Sequence, residues 1–296
     1  MMSNPVSIPA EASELSSPTA DLPDEVDLRL VVADMDGTLL DGQGRVPRRL
    51  DTVVARMHEH GVVFVPASGR QLANLRATLG ATITQSPIIA ENGTVVVQGD
   101  DEIHRETITR SDAVAAVRTT RALREQGLDV GPVIATRDRA YVDRIDERFV
   151  RQCAFYYAAL EPVEDVLDLA LDNVLKIAVY AFGDAESECY EPLSAAVPGV
   201  QTVVSGVHWV DMMPRTASKG RALAAIQERL GINPAQTAVF GDYLNDAELY
   251  DHAELSFAMA NAHPGILSRA RYIAPANTDD GVLRTIEALL DRLSPR

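Results

Sequence analysis

The sequence predicts an α/β fold, in which a doubly wound, mostly parallel sheet carries a second, inserted α+β unit. Strand-length apolar runs alternate with amphipathic helix patterns in the first and last thirds of the chain, but helices and hairpins replace them in between. Such runs are typical of parallel strands, because helices cover both faces of the sheet. We therefore predict a Rossmann-like core at 27–98 and 207–296 and an inserted α+β unit at 99–206. Residues 1–26 are rich in Ser, Pro, Ala and acids and read as a disordered tail.

The first part of the core begins with an apolar strand at 28–34. A helix follows at 47–60, because its apolar residues recur at i, i+3, i+4 and i+7 and Gly61 ends it. Further along, the same signals predict a strand at 62–67, a helix ending near Gly80, a strand at 87–90, a turn at 91–93 and a returning strand at 94–98.

The inserted segment and the last part of the chain follow different patterns. In the insertion we predict a helix at 111–126, a hairpin at 131–142, a strand at 173–181, a helix at 186–197 and a strand at 201–204. After it we predict a helix at 218–230, strands at 237–240 and 255–260, and a closing helix at 281–293.

The composition excludes several classes of partner. A formal net charge of -16 argues against binding nucleic acid or an anionic membrane, since both need a basic footprint. The two cysteines suggest neither a disulfide framework nor a metal site. We find no apolar run long enough to span a bilayer and no signal peptide, so we predict a cytoplasmic protein.

Two carboxylates end the first predicted strand, in the run Asp34-Met35-Asp36-Gly37-Thr38. Side chains two positions apart in a strand point the same way, so Asp34 and Asp36 are expected to share one small volume. Two carboxylates held so near each other repel unless a cation or a proton lies between them. The pair therefore suits a hard divalent metal and chemistry on a phosphate.

Three more polar motifs follow in order, each at a strand end or a helix start. They are Ser68-Gly69-Arg70, Ser218-Lys219-Gly220 and Gly241-Asp242-Tyr243-Leu244-Asn245-Asp246. Because ligands bind beyond the carboxyl ends of parallel strands, we expect the four motifs to meet there.

In this order and spacing the chain resembles the haloacid dehalogenase superfamily, and within it the Cof-type phosphatase branch with a C2B-type cap. The resemblance implies that Asp34 is a nucleophile that forms an aspartyl-phosphate and that Asp36 is the acid and base. It implies Mg²⁺ as the cofactor, bound by Asp34, the Asp36 backbone carbonyl and Asp242. Phosphate would be held by Ser68, Gly69, Lys219 and Asn245, while Asp246 would orient the metal's surroundings or Lys219.

The residues that contact the rest of the substrate are less well defined. Arg70 could reach the phosphate or pair on the surface, and the sequence favours neither. Candidate substrate contacts are Arg137 and Arg139 in the inserted unit, which the resemblance makes the cap, and His208-Trp209 just after it, with surface or packing roles as the alternative. Lys176, within an apolar strand, is predicted to be structural.

The predicted function is a Mg²⁺-dependent phosphatase acting on a small phosphorylated metabolite, as a monomer or homodimer. Sugar phosphates come first among the substrates, with FMN or pyridoxal phosphate as alternatives. A phosphomutase would share all four motifs. A phospho-acceptor or catalytically silent binding module is the alternative from another class.

Overall fold

The computed structural model describes residues 22–294. The predicted tail therefore lies outside the described residues, apart from residues 22–26. Within that short stretch, Leu22 and Val26 are buried against the core, and Val26 forms a parallel bridge with Leu293. The packed chain thus includes residues that were predicted to belong to the tail.

Within these residues the chain forms fourteen strands and eight α-helices. The strands are β1 Leu30–Asp34, β2 Val63–Ala67, β3 Pro87–Ala90, β4 Val95–Gln98, β5 Asp101–Arg105, β6 Val130–Ala135, β7 Ala140–Val142, β8 Leu160–Pro162, β9 Lys176–Ala181, β10 Val200–Gly206, β11 Trp209–Pro214, β12 Thr237–Gly241, β13 Leu255–Met259 and β14 Tyr272–Ala274. The helices are α1 Leu50–Glu59, α2 Leu72–Leu79, α3 Arg110–Glu125, α4 Glu147–Tyr156, α5 Glu191–Ala196, α6 Lys219–Leu230, α7 Pro264–Leu267 and α8 Gly281–Leu290.

The first sheet forms the core and has the order β14-β13-β12-β1-β2-β3-β4-β5. Its strands from β14 to β3 are parallel, and β4 and β5 fold back as antiparallel hairpins. Leu30 of β1 lies opposite Thr237 of β12 on one side and Val63 of β2 on the other. This central position of β1 brings the carboxyl ends of three strands together, and it confirms the predicted α/β core.

The second sheet belongs to the insertion and has the order β10-β11-β9-β6-β7-β8. It is antiparallel except for the β7–β8 pair. Its buried side chains form two apolar clusters that are separate from the cluster of the core sheet. The inserted unit therefore has its own interior.

The change from one sheet to the other occurs later than the residues that the sequence indicated. β5, which was not predicted, pairs with β4 in the core sheet, so the core extends past 99 to Arg105. β11 pairs with β10 and β9, so the cap sheet continues past 206 to Pro214. The sequence patterns also missed α4, β8, β11, α7 and β14. None of the described helices is long and apolar enough to cross a bilayer.

Candidate active site

The centre of the site is Asp34, the last residue of β1, which is buried between β2 and β12. The chain then turns through Gly37, whose φ of +79° belongs to the left-handed region. A Cβ on Gly37 would lie 2.3 Å from Oδ2 of Asp242. Only glycine therefore lets this turn approach the carboxylate that follows β12.

Lys219, at the first position of α6, is completely buried. Its Nζ donates to Oδ1 of Asp34 and, at 2.6 Å, to Oδ1 of Asp246. Burial alone would lower the pKa of Lys219, but the two carboxylates raise it above its ordinary value. Lys219 is therefore a fixed positive charge beside Asp34, as its predicted role requires.

Asp246 forms hydrogen bonds with the residues around it. Its Oδ2 accepts hydrogen bonds from the backbone N–H of Asp242, at 3.0 Å, and of Tyr243, at 3.2 Å. With Oδ1 on Lys219, both oxygens are engaged. Asp246 thus connects Lys219 to the backbone at Asp242 and Tyr243.

The carboxylates of Asp34, Asp242 and Asp246 each place an oxygen within 4.8 Å of the others. Burial, followed by the charge of Asp246, raises the pKa of Asp34 well above its ordinary value, although Lys219 opposes the shift. Burial is also the main cause that raises the pKa of Asp242 to about 6, against a 2.8 Å hydrogen bond from Thr38 Oγ1. Such a concentration of acidic oxygens fits a hard divalent cation. Asp34 and Asp242 are the candidate ligands, because Asp246 already accepts hydrogen bonds from Lys219 and from backbone N–H groups.

The side chain of Asp36 lies outside this cluster and is 58% exposed. Arg70 binds it with two nitrogens, and the Nε–Oδ2 distance is 2.7 Å. Arg70 itself lines the cavity described below. It pairs with the predicted acid–base residue.

Ser68, just after β2, is buried, and its Oγ accepts the backbone N–H of Arg70 at 3.1 Å. The backbone N–H of Asn92 donates to the Ser68 carbonyl at 2.9 Å. Asn92 also accepts a hydrogen bond from Nδ2 of Asn245 through its Oδ1, at 3.2 Å. The sequence placed Asn92 in the turn at 91–93 without assigning it a role in the site, yet it connects two of the predicted phosphate-binding residues.

A cavity of about 750 Å³ lies between the core and the inserted unit. The core contributes the predicted site residues Asp34, Asp36, Ser68, Gly69, Arg70, Asp242 and Asn245 to its lining.

The inserted unit contributes an aromatic wall of Tyr156, Tyr157, Tyr180, His208 and Trp209. Ring centroids lie 4.8 Å apart for Tyr180–Trp209 and 5.4 Å for Tyr156–Trp209. His208 Nδ1 is 2.8 Å from the Gly183 carbonyl. The three tyrosines were missed, although the run Phe155-Tyr156-Tyr157 was a visible signal.

Two of the predicted substrate contacts lie elsewhere. Arg137 donates to the Asp100 carbonyl at 2.8 Å, and Arg139 pairs with Glu161. Neither lines the cavity. The turn between β6 and β7 lies beside the β4–β5 hairpin, so its arginines bind nearby acidic and carbonyl oxygens.

Comparison with known proteins gives a consistent result. The sequence model of haloacid dehalogenase-like hydrolases matches residues 31–286. The chain is 28% identical over 271 residues to a 5-amino-6-(5-phospho-D-ribitylamino)uracil phosphatase of Escherichia coli, covering 90% of this chain and 98% of that one. It is 28% identical over 251 residues to an HMP-PP phosphatase of Cronobacter sakazakii, covering 83% and 89%.

Solved structures share the fold. A haloacid dehalogenase-like hydrolase of Bacteroides thetaiotaomicron superposes with a TM-score of 0.78 at 22% identity, covering 88% of this chain and 98% of that one. One from B. subtilis gives 0.74 at 20% identity, covering 88% and 99%.

Proposed function

The chain belongs to the haloacid dehalogenase-like hydrolases, and on this premise we propose that it is a Mg²⁺-dependent phosphatase that works through a phosphorylated Asp34. The observation that carries the proposal is the contact of Asp34 with Lys219 in a buried cluster that also contains Asp242. A charged nucleophile, a fixed cation and a further carboxylate within reach are what phosphoryl transfer requires.

In the first step, an Asp34 carboxylate oxygen attacks phosphorus and the bond to the leaving oxygen breaks. Asp36 gives its proton to that oxygen, which requires the pair with Arg70 to open, because both Asp36 oxygens accept from Arg70 in the structure. In the second step, Asp36 takes a proton from water, which attacks the aspartyl-phosphate. This step releases inorganic phosphate and regenerates the Asp34 carboxylate.

The remaining core residues hold the phosphate. Ser68 and the backbone at Gly69 bind its oxygens, and Lys219 balances the charge that develops during transfer. Asp34 and Asp242 would hold Mg²⁺, together with the backbone carbonyl of Asp36. The ion would screen the negative nucleophile from the negative phosphate.

The substrate that we propose is a small phosphorylated metabolite with a flat ring in its leaving group. The support is the wall of Tyr156, Tyr180 and Trp209, since aromatic faces favour stacked or edge-to-face partners. The E. coli relative is named for a uracil derivative that carries its phosphate on a ribitylamino group. FMN and pyridoxal phosphate therefore rank above the simple sugar phosphates that the sequence placed first. The cytoplasmic location and the monomer or homodimer remain predictions.

The test is phosphate release with Mg²⁺ from pyridoxal phosphate and FMN, compared with ribose 5-phosphate. Two cap tyrosines of similar exposure provide a matched pair, Tyr156 at 41% in the cavity wall and Tyr190 at 39% outside it. Loss of an aromatic contact is worth about 1 kcal/mol, or roughly fivefold in KM. Tyr156→Ala should raise KM for the ring substrates by that factor, while Tyr190→Ala changes nothing. Equal rates for ring and sugar substrates, or equal effects of the two variants, would refute the ring preference.

A further inference from the structure

The chain has only two lysines, Lys176 and Lys219, among 27 basic residues. Lys219 belongs to the mechanism proposed above. Lys176, at the start of β9 in the cap, is also buried and also lines the active-site cavity. At every other basic position the chain uses arginine, so a compact ammonium group occurs only at these two sites.

Lys176 connects the cap to the core through a buried ion pair. Its Nζ lies 2.7 Å from Oε2 of Glu91, which follows β3 in the core, and 3.4 Å from Oδ2 of Asp211 in β11. The ring of Tyr157 lies 5.7 Å from the same nitrogen. Burial alone would lower the pKa of Lys176, but Asp211 and Glu91 raise it well above its ordinary value. The side chain therefore stays charged at the junction.

The same nitrogen donates to the backbone carbonyl of Gly69 at 2.9 Å. The other end of that peptide unit, the N–H of Arg70, donates to Ser68 Oγ at 3.1 Å. The peptide plane between Gly69 and Arg70 is thus fixed at both ends. Because Ser68 Oγ accepts this bond, its single proton remains for another acceptor.

Further contacts hold the same loop. The backbone N–H of Glu91 donates to the Arg70 carbonyl at 3.1 Å. Gln71 forms a reciprocal pair with the cap residue Ala159, in which its Nε2 donates at 3.2 Å and its Oε1 accepts at 3.0 Å. The loop at 68–71 is therefore held from the cap at two points.

We propose that Lys176 is a positioning residue of the phosphatase reaction. By holding the peptide between Gly69 and Arg70, it orients the Ser68 hydroxyl toward the phosphate. The loop at 68–71 therefore has its phosphate-binding geometry only while the cap is docked on the core. The inference rests on the proposed function, because it requires Ser68 to contact the phosphate. Glu91 and Asp211 neutralise the ammonium group and hold it on the Gly69 carbonyl.

Two other roles for Lys176 predict different results. A contact with the leaving group would affect substrates unequally and leave inhibition by inorganic phosphate unchanged. A purely structural role would lower the melting temperature without changing phosphate affinity. Positioning of Ser68 affects every substrate alike, because all of them carry the same phosphate.

The experiment compares Lys176→Met with the wild-type protein. It measures inhibition by inorganic phosphate and kcat/KM for pyridoxal phosphate and an aryl phosphate. Losing one fixed hydrogen bond should weaken phosphate inhibition by about five- to tenfold and lower both kcat/KM values equally. If Glu91, left unpaired, prevents folding, Lys176→Met combined with Glu91→Gln carries the same measurements. Glu91→Gln alone removes one charge that holds the ammonium group but keeps Lys176 and its bond to Gly69, so it should weaken phosphate inhibition less than Lys176→Met does.

A double-mutant cycle with Ser68→Ala completes the test. If Lys176 acts through Ser68, Lys176→Met should add little to the loss already caused by Ser68→Ala. Additive losses, unchanged phosphate inhibition or a loss confined to one substrate would overturn the inference. A wild-type protein without phosphatase activity on any substrate would instead overturn the proposed function, and the inference with it.

Discussion

Replacing Lys219 by methionine should destabilise the protein much more than replacing any exposed basic residue. The substitution keeps a similar shape but removes the ammonium group between Asp34 and Asp246, whose side chains are 8% and 0% exposed. Breaking a buried ion pair on one side costs about 3–5 kcal/mol, because a charge is left without compensation. This is a large share of a typical unfolding free energy of about 5–15 kcal/mol.

The measurement is thermal unfolding in EDTA. In a domain of this size, 1 kcal/mol corresponds to about 2–4 °C in Tm, so Lys219→Met should melt roughly 6–20 °C lower. Arg221→Met is the matched control, since it lies in the same helix, is 56% exposed and forms a surface pair with Glu106 worth at most about 1 kcal/mol.

Two additions make the cause identifiable. Combining Lys219→Met with Asp246→Asn removes one unpaired negative charge, while the amide oxygen can still accept from the backbone N–H groups of Asp242 and Tyr243. The double variant should therefore recover much of the Tm that Lys219→Met loses. Mg²⁺ should stabilise Lys219→Met more than wild type, because the ion replaces the missing charge. Equal melting temperatures for Lys219→Met and Arg221→Met would refute the buried network.

Three further predictions concern the acidic residues. Asp34→Asn should lower kcat by several orders of magnitude without loss of fold by circular dichroism, and a wild-type rate would exclude the covalent step. With an aryl phosphate, Asp36→Asn should turn over slowly and accumulate phosphorylated Asp34 in acid-quenched samples; mass spectrometry that finds none would contradict its role as the base. Because the pKa of Asp242 is raised to about 6, Mg²⁺ must displace a proton below that pH, so its Kd by calorimetry should rise as the pH falls through 6. The metal-free protein should conversely lose stability as the pH rises from about 4 to 6, since the folded form binds the extra proton in that window. A Kd equal at pH 5 and 7.5 would contradict the first statement, and a metal-free protein that is not destabilised between pH 4 and 6 would contradict the second.

The core could be predicted closely from the sequence because its signals are local. The strand that ends at Asp34 is one continuous apolar run, and Ser218 caps α6 directly before Lys219. Strand β5 was missed because an edge strand with exposed side chains shows no apolar pattern. In α4 only Phe149 and Cys153 are buried, which is too few for a recognisable apolar face.

The roles of Arg70 and of the cap residues could not be predicted in the same way, since they depend on distant partners. The carboxylate that holds Arg70 is 34 positions away, and Lys176 lies 107 positions from Gly69. Arg137 and Arg139 were expected near the substrate but do not line the cavity, because nothing in a hairpin sequence tells which side its turn faces. Tyr156 and Tyr180 come from separate elements that only the folded cap brings together.

The presence of only two lysines, both buried, makes limited proteolysis unusually informative for this chain. A lysine-specific endoprotease can cut only after Lys176 and Lys219, and neither bond is accessible until the surrounding structure opens. Cleavage after Lys176 reports opening of the cap sheet, whereas cleavage after Lys219 reports opening of the core. The relative rates at which the two sets of fragments appear therefore measure whether cap and core unfold together or one after the other.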